Sequence, residues 1–128
     1  MIFNLFKSKP TLKELIPNGF VDIHSHVLPG IDDGAKNIEE SLEIISQMRE
    51  LGFSKIIGTP HTYPGLYENT TKSIEESFIS INNKQSDKIK LGYASEYMID
   101  FSLFEKIDNR DILTIKDNFI LIEFGFIS

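Results

Sequence analysis

Two histidines one residue apart, His24 and His26, lie in the run Val21-Asp22-Ile23-His24-Ser25-His26, and the acidic turn Asp32-Asp33-Gly34 comes closely after them. On a β-strand the side chains at i and i+2 share a face, so the two imidazoles can converge on one metal ion. Histidine is the commonest metal ligand, although a His-x-His pair can also be the polar face of a strand turned to water. The rest of the chain favours metal. His61, the only other histidine, ends Lys55-Ile56-Ile57-Gly58-Thr59-Pro60, so every histidine sits at an expected strand end. Glu96 closes the run Ile89 to Ser95, and Glu123 lies inside Phe119-Ile120-Leu121-Ile122-Glu123-Phe124. An ionised carboxylate in apolar surroundings needs a cation, a hydrogen-bond network or a shifted pKa. A shared metal centre would satisfy both acids.

Periodicity and turn residues supply the framework that carries these groups. Phe20 to His24 reads as a strand, and the Pro29-Gly30 and Asp33-Gly34 steps describe a tight loop. A helix comes next: Asn37 is its N-cap with Glu40 three residues on, Ile38, Leu42, Ile45 and Met48 form the apolar stripe, and Gly52 ends it. Lys55 to Thr59 is a second strand, and Thr62 to Asn69 a loop. Ile74, Phe78 and Ile81 share a face of a second helix. A third strand covers Ile89 to Ser95, a short helix includes Phe101, Phe104 and Ile107, and Phe119 to Phe124 is a fourth strand. Such alternation implies an α/β fold with a parallel sheet and right-handed crossovers. In these sheets and barrels reactive groups gather at the C-terminal strand ends, where His24, His26, His61, Glu96 and Glu123 all fall.

Composition narrows the function classes. The 128 residues suit one domain with a modest core, and the formal net charge of −6 comes without a dense Lys/Arg cluster, which argues against a nucleic-acid partner. There is no cysteine, so a disulfide scaffold, a thiolate zinc site and a cysteine-nucleophile phosphatase mechanism are all excluded for this chain. The opening Met1 to Pro10 places apolar residues before its lysines, the reverse of a secretory signal, and no apolar run approaches a membrane span. A cytoplasmic location is the default expectation. Residues 1–19 read as a leader and 20–128 as the folded domain. Phe3, Leu5, Phe6, Lys7 and Lys9 could touch a membrane surface, but a frayed or locally docked terminus is the simpler reading.

Together these segments resemble the polymerase-and-histidinol-phosphatase (PHP) superfamily. More narrowly, they are similar to the bacterial metal-dependent tyrosine-protein phosphatases encoded with capsule and exopolysaccharide genes. The resemblance rests on Phe20 to His26, Leu28-Pro29-Gly30-Ile31-Asp32-Asp33-Gly34-Ala35, Thr59-Pro60-His61, Ala94-Ser95-Glu96-Tyr97 and Leu121-Ile122-Glu123, and runs from about Leu12 onward. It implies a distorted (β/α)7 barrel of the TIM-like kind with up to three divalent ions, manganese first and iron or zinc as alternatives. By position the implied ligands are His24, His26, Asp33, His61, Glu96 and Glu123, with Asp32 outside the set and Glu96 as the bridging carboxylate. The implied reaction is hydrolysis of a phosphomonoester by a metal-activated hydroxide, with no covalent phospho-enzyme. The implied partner is a phosphotyrosine protein such as a polysaccharide-assembly tyrosine kinase.

The pattern departs from the family in length. Later strands of the family supply a histidine, an aspartate-histidine pair and a phosphate-binding arginine, and none of these is matched before Ser128. The expectation is therefore the N-terminal portion of a PHP-type domain, a partial barrel with an exposed edge, which a homo-oligomer could cover. Two readings from different classes stand: a metal-dependent phosphatase completed by a further segment or subunit, and a catalytically silent metal-binding piece. Within the enzyme class histidinol-phosphate phosphatase is the alternative, and the Leu28 to Gly34 stretch favours the tyrosine phosphatase. Tyr63, Tyr67 and Tyr97 could line a phenol-binding mouth, against simple local packing; Arg49 and Arg110 read as solvated rather than as phosphate clamps.

Overall fold

A computed structural model describes residues 8–86 and 88–125. Phe3, Leu5, Phe6 and Lys7, the candidates for a surface-binding terminus, lie outside the described residues. Within the expected leader a single helical turn, α1 (Leu12–Leu15), is capped by Thr11, whose N–H donates to the Glu14 carboxylate at 2.6 Å. The segment then returns to the end of the next helix, with the Gly19 N–H donating to the Gly52 carbonyl at 3.3 Å.

The strands are β1 (Phe20–Ser25), β2 (Phe53–Gly58), β3 (His61–Thr62), β4 (Lys90–Tyr93), β5 (Glu96–Met98) and β6 (Leu121–Glu123), and the longer helices α2 (Ile38–Leu51), α3 (Thr71–Asn82) and α4 (Phe101–Asp108). All strand pairings are parallel, in the orders β1-β2-β4 and β3-β5-β6. The expected parallel α/β arrangement is thus present, and the four expected strands are found as β1, β2, β4 and β6. Two further short strands, β3 and β5, lie beyond the expected ends of the second and third, each after a break at which the pairing changes sheet.

Pro60 explains one break, because it has no N–H to give to a ladder. Side-chain hydroxyls take over the lost pairing. Thr59 Oγ1 accepts from the Ser25 N–H at 3.1 Å, Ser95 Oγ donates to the Pro60 carbonyl at 3.0 Å, and the Thr62 and Ser95 hydroxyls meet at 2.6 Å. Backbone bonds from Thr59 N–H to the Ser25 carbonyl (2.7 Å) and Glu96 N–H to the Pro60 carbonyl (3.0 Å) carry the wall across the bend. The consequence for function is direct: His61 and Glu96 open new strands at the bend instead of trailing off old ones. The fourth strand is also shorter than expected, because Phe119 is taken into a turn with Ile115 and Lys116.

Helix α2 forms as its sequence dictates. The Asn37 side chain accepts the Glu40 N–H at 2.9 Å, and Gly52 closes the helix in a left-handed conformation (φ 109°). Its apolar stripe and that of α3 pack on one face of the sheet around Val27, Leu28, Ile45, Ile56, Ile74, Ile81 and Ile89. Burying each such side chain stabilises the fold by roughly 1.5–3 kcal/mol. Gly58 permits this layer to approach, since a Cβ there would fall 2.6 Å from Leu28 Cγ. The opposite face carries Val21, Ile23, Ile57 and Leu121 into an open apolar groove of about 600 Å³. Among the described residues no helix is long and apolar enough to cross a membrane.

Candidate metal centre

The bend collects the chemistry. His24 comes from the end of β1, His26 from just beyond it, His61 and Glu96 from the first positions of β3 and β5, and Glu123 from the last of β6. The side chain of Glu96 is nearly buried, and its Oε2 lies 3.2 Å from His24 Nε2, 3.4 Å from His26 Nε2 and 3.3 Å from His61 Nδ1. One carboxylate oxygen thus touches all three imidazoles of the chain.

Around this centre, His61 Nδ1 also lies 2.7 Å from Glu123 Oε1, and His61 Nε2 lies 3.4 Å from Asp33 Oδ1. Three sets with donor atoms close enough to hold an ion result: His24, His26 and Glu96; His26, Asp33 and His61; and His61, Glu96 and Glu123. Each of the six residues singled out from sequence therefore falls in at least one set. The sets share His26, His61 and Glu96, which is the geometry of a cluster and not of separate sites.

Asp32 behaves differently from its neighbour. Its carboxylate is buried, with Oδ2 2.7 Å from His26 Nδ1 and accepting the His61 N–H at 3.1 Å, while Oδ1 accepts the Gly34 N–H at 2.9 Å. The Asp33 side chain is 62% exposed and faces the cleft. Hydrogen bonding to the Asp32 carboxylate holds the His26 pKa above its usual range against the opposing effect of burial, with the charges of Asp32, Glu96 and Asp33 adding to the rise. For Asp32, burial pushes upward, but the bonds from His26, Gly34 and His61 outweigh it and leave the pKa below the usual carboxylate value.

The donor set fits divalent cations. In neutral His26 the Nδ1 proton is engaged by Asp32, so the Nε2 lone pair faces the lone pairs of Glu96 across 3.4 Å. A cation between them turns that repulsion into coordination, and the mix of imidazole and carboxylate suits manganese, iron or zinc without a thiolate.

Beside the cluster a cleft of about 200 Å³ is lined by Asp33, His61, Tyr63, Tyr67, Met98 and Glu123 among others. The Tyr67 ring stacks on His61, with centroids 5.4 Å apart and planes 13° from parallel. Two of the three tyrosines considered from sequence are therefore at the mouth. Tyr97 is not: it is buried, and its hydroxyl accepts the Leu113 N–H at 2.8 Å. Arg49 belongs to the last turn of α2, and Arg110 comes just after α4. Sequence reasoning missed the hub role of Asp32, and also Asn69, whose side-chain amide donates to the Ile31 and His61 carbonyls at 2.8 Å each and ties the acidic loop to β3. Asn69 carried no signal beyond being a polar loop residue.

Residues 20–128 match the family described as capsular polysaccharide synthesis, CpsB/CapC. The chain belongs to the CpsB/CapC family. It is 31% identical over 109 residues to the tyrosine-protein phosphatase CpsB of Streptococcus pneumoniae, covering 82% of this chain and 45% of that protein. It is 32% identical over 110 residues to the tyrosine-protein phosphatase YwqE of Bacillus subtilis, covering 83% and 43% respectively. A solved structure from work on YwqE and CpsB, described as unique metal-dependent tyrosine phosphatases, superposes with a TM-score of 0.76 at 31% identity, over 84% of this chain and 45% of the other. This CpsB/CapC chain thus spans about half the length of the curated relatives it matches, and it shares their α/β architecture.

Proposed function

We propose that this chain forms a divalent-metal centre of a PHP-type protein-tyrosine phosphatase acting in capsular or exopolysaccharide regulation. The observation that carries the reading is Glu96 Oε2 in contact with all three imidazoles, flanked by Asp33 and Glu123. The residues proposed to hold metal are His24, His26, Asp33, His61, Glu96 and Glu123, with manganese as the first choice. The relatives named as tyrosine phosphatases favour this over a histidinol-phosphate substrate.

A bound divalent cation supplies Lewis acidity that lowers the pKa of water and screens phosphoryl charge. The protein's part is positional. Glu96 and the histidines would hold the cation at the bend, and the Tyr63 and Tyr67 rings wall a cleft beside it that suits the flat ring of a phosphotyrosine. Asp33 and Glu123 line the same cleft, so the acids and the aromatic wall meet where a phosphate and its phenol would sit. A phosphotyrosine protein such as a polysaccharide-assembly tyrosine kinase is the proposed substrate, and the cytoplasm the proposed location. A homo-oligomer that covers the open apolar groove belongs to the same reading.

The test is manganese content together with manganese-dependent phosphate release from a phosphotyrosine peptide, with Glu96→Ala as the matched control. Binding and release that both vanish in the variant support the proposal. Failure of the wild-type chain to take up manganese, iron or zinc would sink it.

A further inference from the structure

We propose that Asp32 is a positioning residue, not a metal ligand: it fixes the tautomer and orientation of His26 and, through the same carboxylate, the place of His61. Its consequence for metal binding rests on the proposed metal centre, but its structural content stands without any metal.

Three hydrogen bonds converge on a side chain with no solvent exposure: His26 Nδ1 at 2.7 Å and His61 N–H at 3.1 Å on Oδ2, and Gly34 N–H at 2.9 Å on Oδ1. A carboxylate offers about four acceptor directions, so three donors nearly saturate it. Two acids at the cleft contrast with this, whereas Glu96 is also nearly buried but turns its Oε2 to three imidazoles. Asp33 is 62% exposed, and Glu123, which also meets a histidine Nδ1 at 2.7 Å, keeps 21% of its side chain exposed and faces the cleft.

The bond to Nδ1 has one chemical result. It holds the proton of neutral His26 on Nδ1 and leaves Nε2 as the sole ligand atom, turned toward Glu96 Oε2 and His24 Nε2, each 3.4 Å away. A carboxylate behind a ligating imidazole also raises its basicity. The bond to the His61 N–H adds a second effect, because it joins the loop after β1 to the first residue of β3. One side chain therefore sets the separation of two histidines, one in the loop after β1 and one in β3. Substitution by asparagine keeps the shape, but it turns one oxygen into an N–H donor that must face Gly34, His26 or His61, each already a donor.

The experiment uses the 128-residue chain labelled with ¹⁵N-histidine. Long-range ¹H–¹⁵N correlation in the metal-free protein, at a pH where the rings are neutral, should show His26 protonated on Nδ1; Asp32→Asn and Asp32→Ala should lose that preference while Asp33→Ala retains it. Cobalt titration monitored by visible absorption should then give affinity weakened by about 10- to 100-fold in the Asp32 variants, with the wild-type stoichiometry and band pattern kept. His26→Ala should lose an ion or change the bands. A wild-type His26 protonated on Nε2 overturns the proposal with no variant needed. So does an Asp32 variant whose cobalt stoichiometry and bands change as those of His26→Ala do. If Asp32→Ala does not fold, Asp32→Asn and the wild-type tautomer still decide. If no metal binds, the proposed function fails while the tautomer result stands on its own.

Discussion

Gly34 lies directly against His26: a Cβ on Gly34 would collide with the His26 carbonyl oxygen and Cβ. That contact lets the acidic loop fold back under the β1 exit, where the Ala35 N–H donates to the His26 carbonyl at 3.0 Å. Both colliding atoms belong to rigid parts of the chain, so the loop must move if a methyl group is added. Gly34→Ala should cost about 1–3 kcal/mol of stability and displace Asp32 and Asp33 together. Urea midpoints and manganese affinity should both fall; a variant that keeps wild-type affinity would show that the close approach does not set the site.

The N-cap of α2 offers a prediction of another kind. Asn37→Ala removes the side-chain acceptor for the Glu40 N–H and should destabilise the chain by about 1 kcal/mol. The Asn37 side chain is bonded to the Glu40 N–H and, among the described residues, to none of the metal sets, so cobalt bands should be unchanged when the folded fraction is matched. Altered bands in a fully folded variant would mean that α2 helps to set ligand geometry.

The same helix shows what could be read from sequence. Asn37 and Gly52 bracket an apolar stripe with the helical period, and local rules sufficed for α2. The second sheet was hidden because β3 and β5 are only two and three residues long, and the hydroxyls of Thr59, Thr62 and Ser95 that replace ladder pairing have no periodicity to detect. In the site, the histidines and buried acids were legible because such groups are costly without a partner. Asp32 and Asp33 were separated only by the resemblance: adjacent aspartates are equivalent to composition and spacing, and only the turn of the loop sends one inward to His26 and the other to the cleft. Tyr97 illustrates the same limit, since nothing local tells that its hydroxyl is used by the Leu113 N–H.

The Asp32 and His26 pair predicts how stability of the chelator-treated chain varies with pH. His26 has its pKa raised by the bond to Asp32, so its contribution is complete below its usual value of 6.5 and is lost as pH rises through the higher folded value. Asp32 is subject to a burial penalty, yet its hydrogen bonds leave its pKa lowered. Its contribution is present above the usual 3.8 and is lost as pH falls through the lower folded value. Between those limits the pair is fully formed, so the difference in urea midpoint between wild type and Asp32→Asn should be largest there. It should shrink in more alkaline and more acidic buffer. A difference that keeps growing above the imidazole range would contradict this account.

Glu96 should invert its effect on stability with metal. Without a cation, its buried Oε2 faces the lone pair of His26 Nε2 at 3.4 Å, the proton of that ring being held on Nδ1 by Asp32, and His24 Nε2 at 3.2 Å is its one hydrogen-bond partner among the described side chains. A buried carboxylate so placed is a cost that an uncharged amide relieves, since the amide can donate to an imidazole nitrogen. In chelator, Glu96→Gln should therefore unfold at the wild-type temperature or above it. With manganese in about hundred-fold excess over the dissociation constant, the wild-type chain should gain about 2.7 kcal/mol, and the variant, lacking the shared ligand, little. The order of melting temperatures should thus reverse on adding metal. If the variant is the less stable chain in chelator as well, Glu96 is held by protein contacts alone, and its place among the three histidines reflects packing and not coordination.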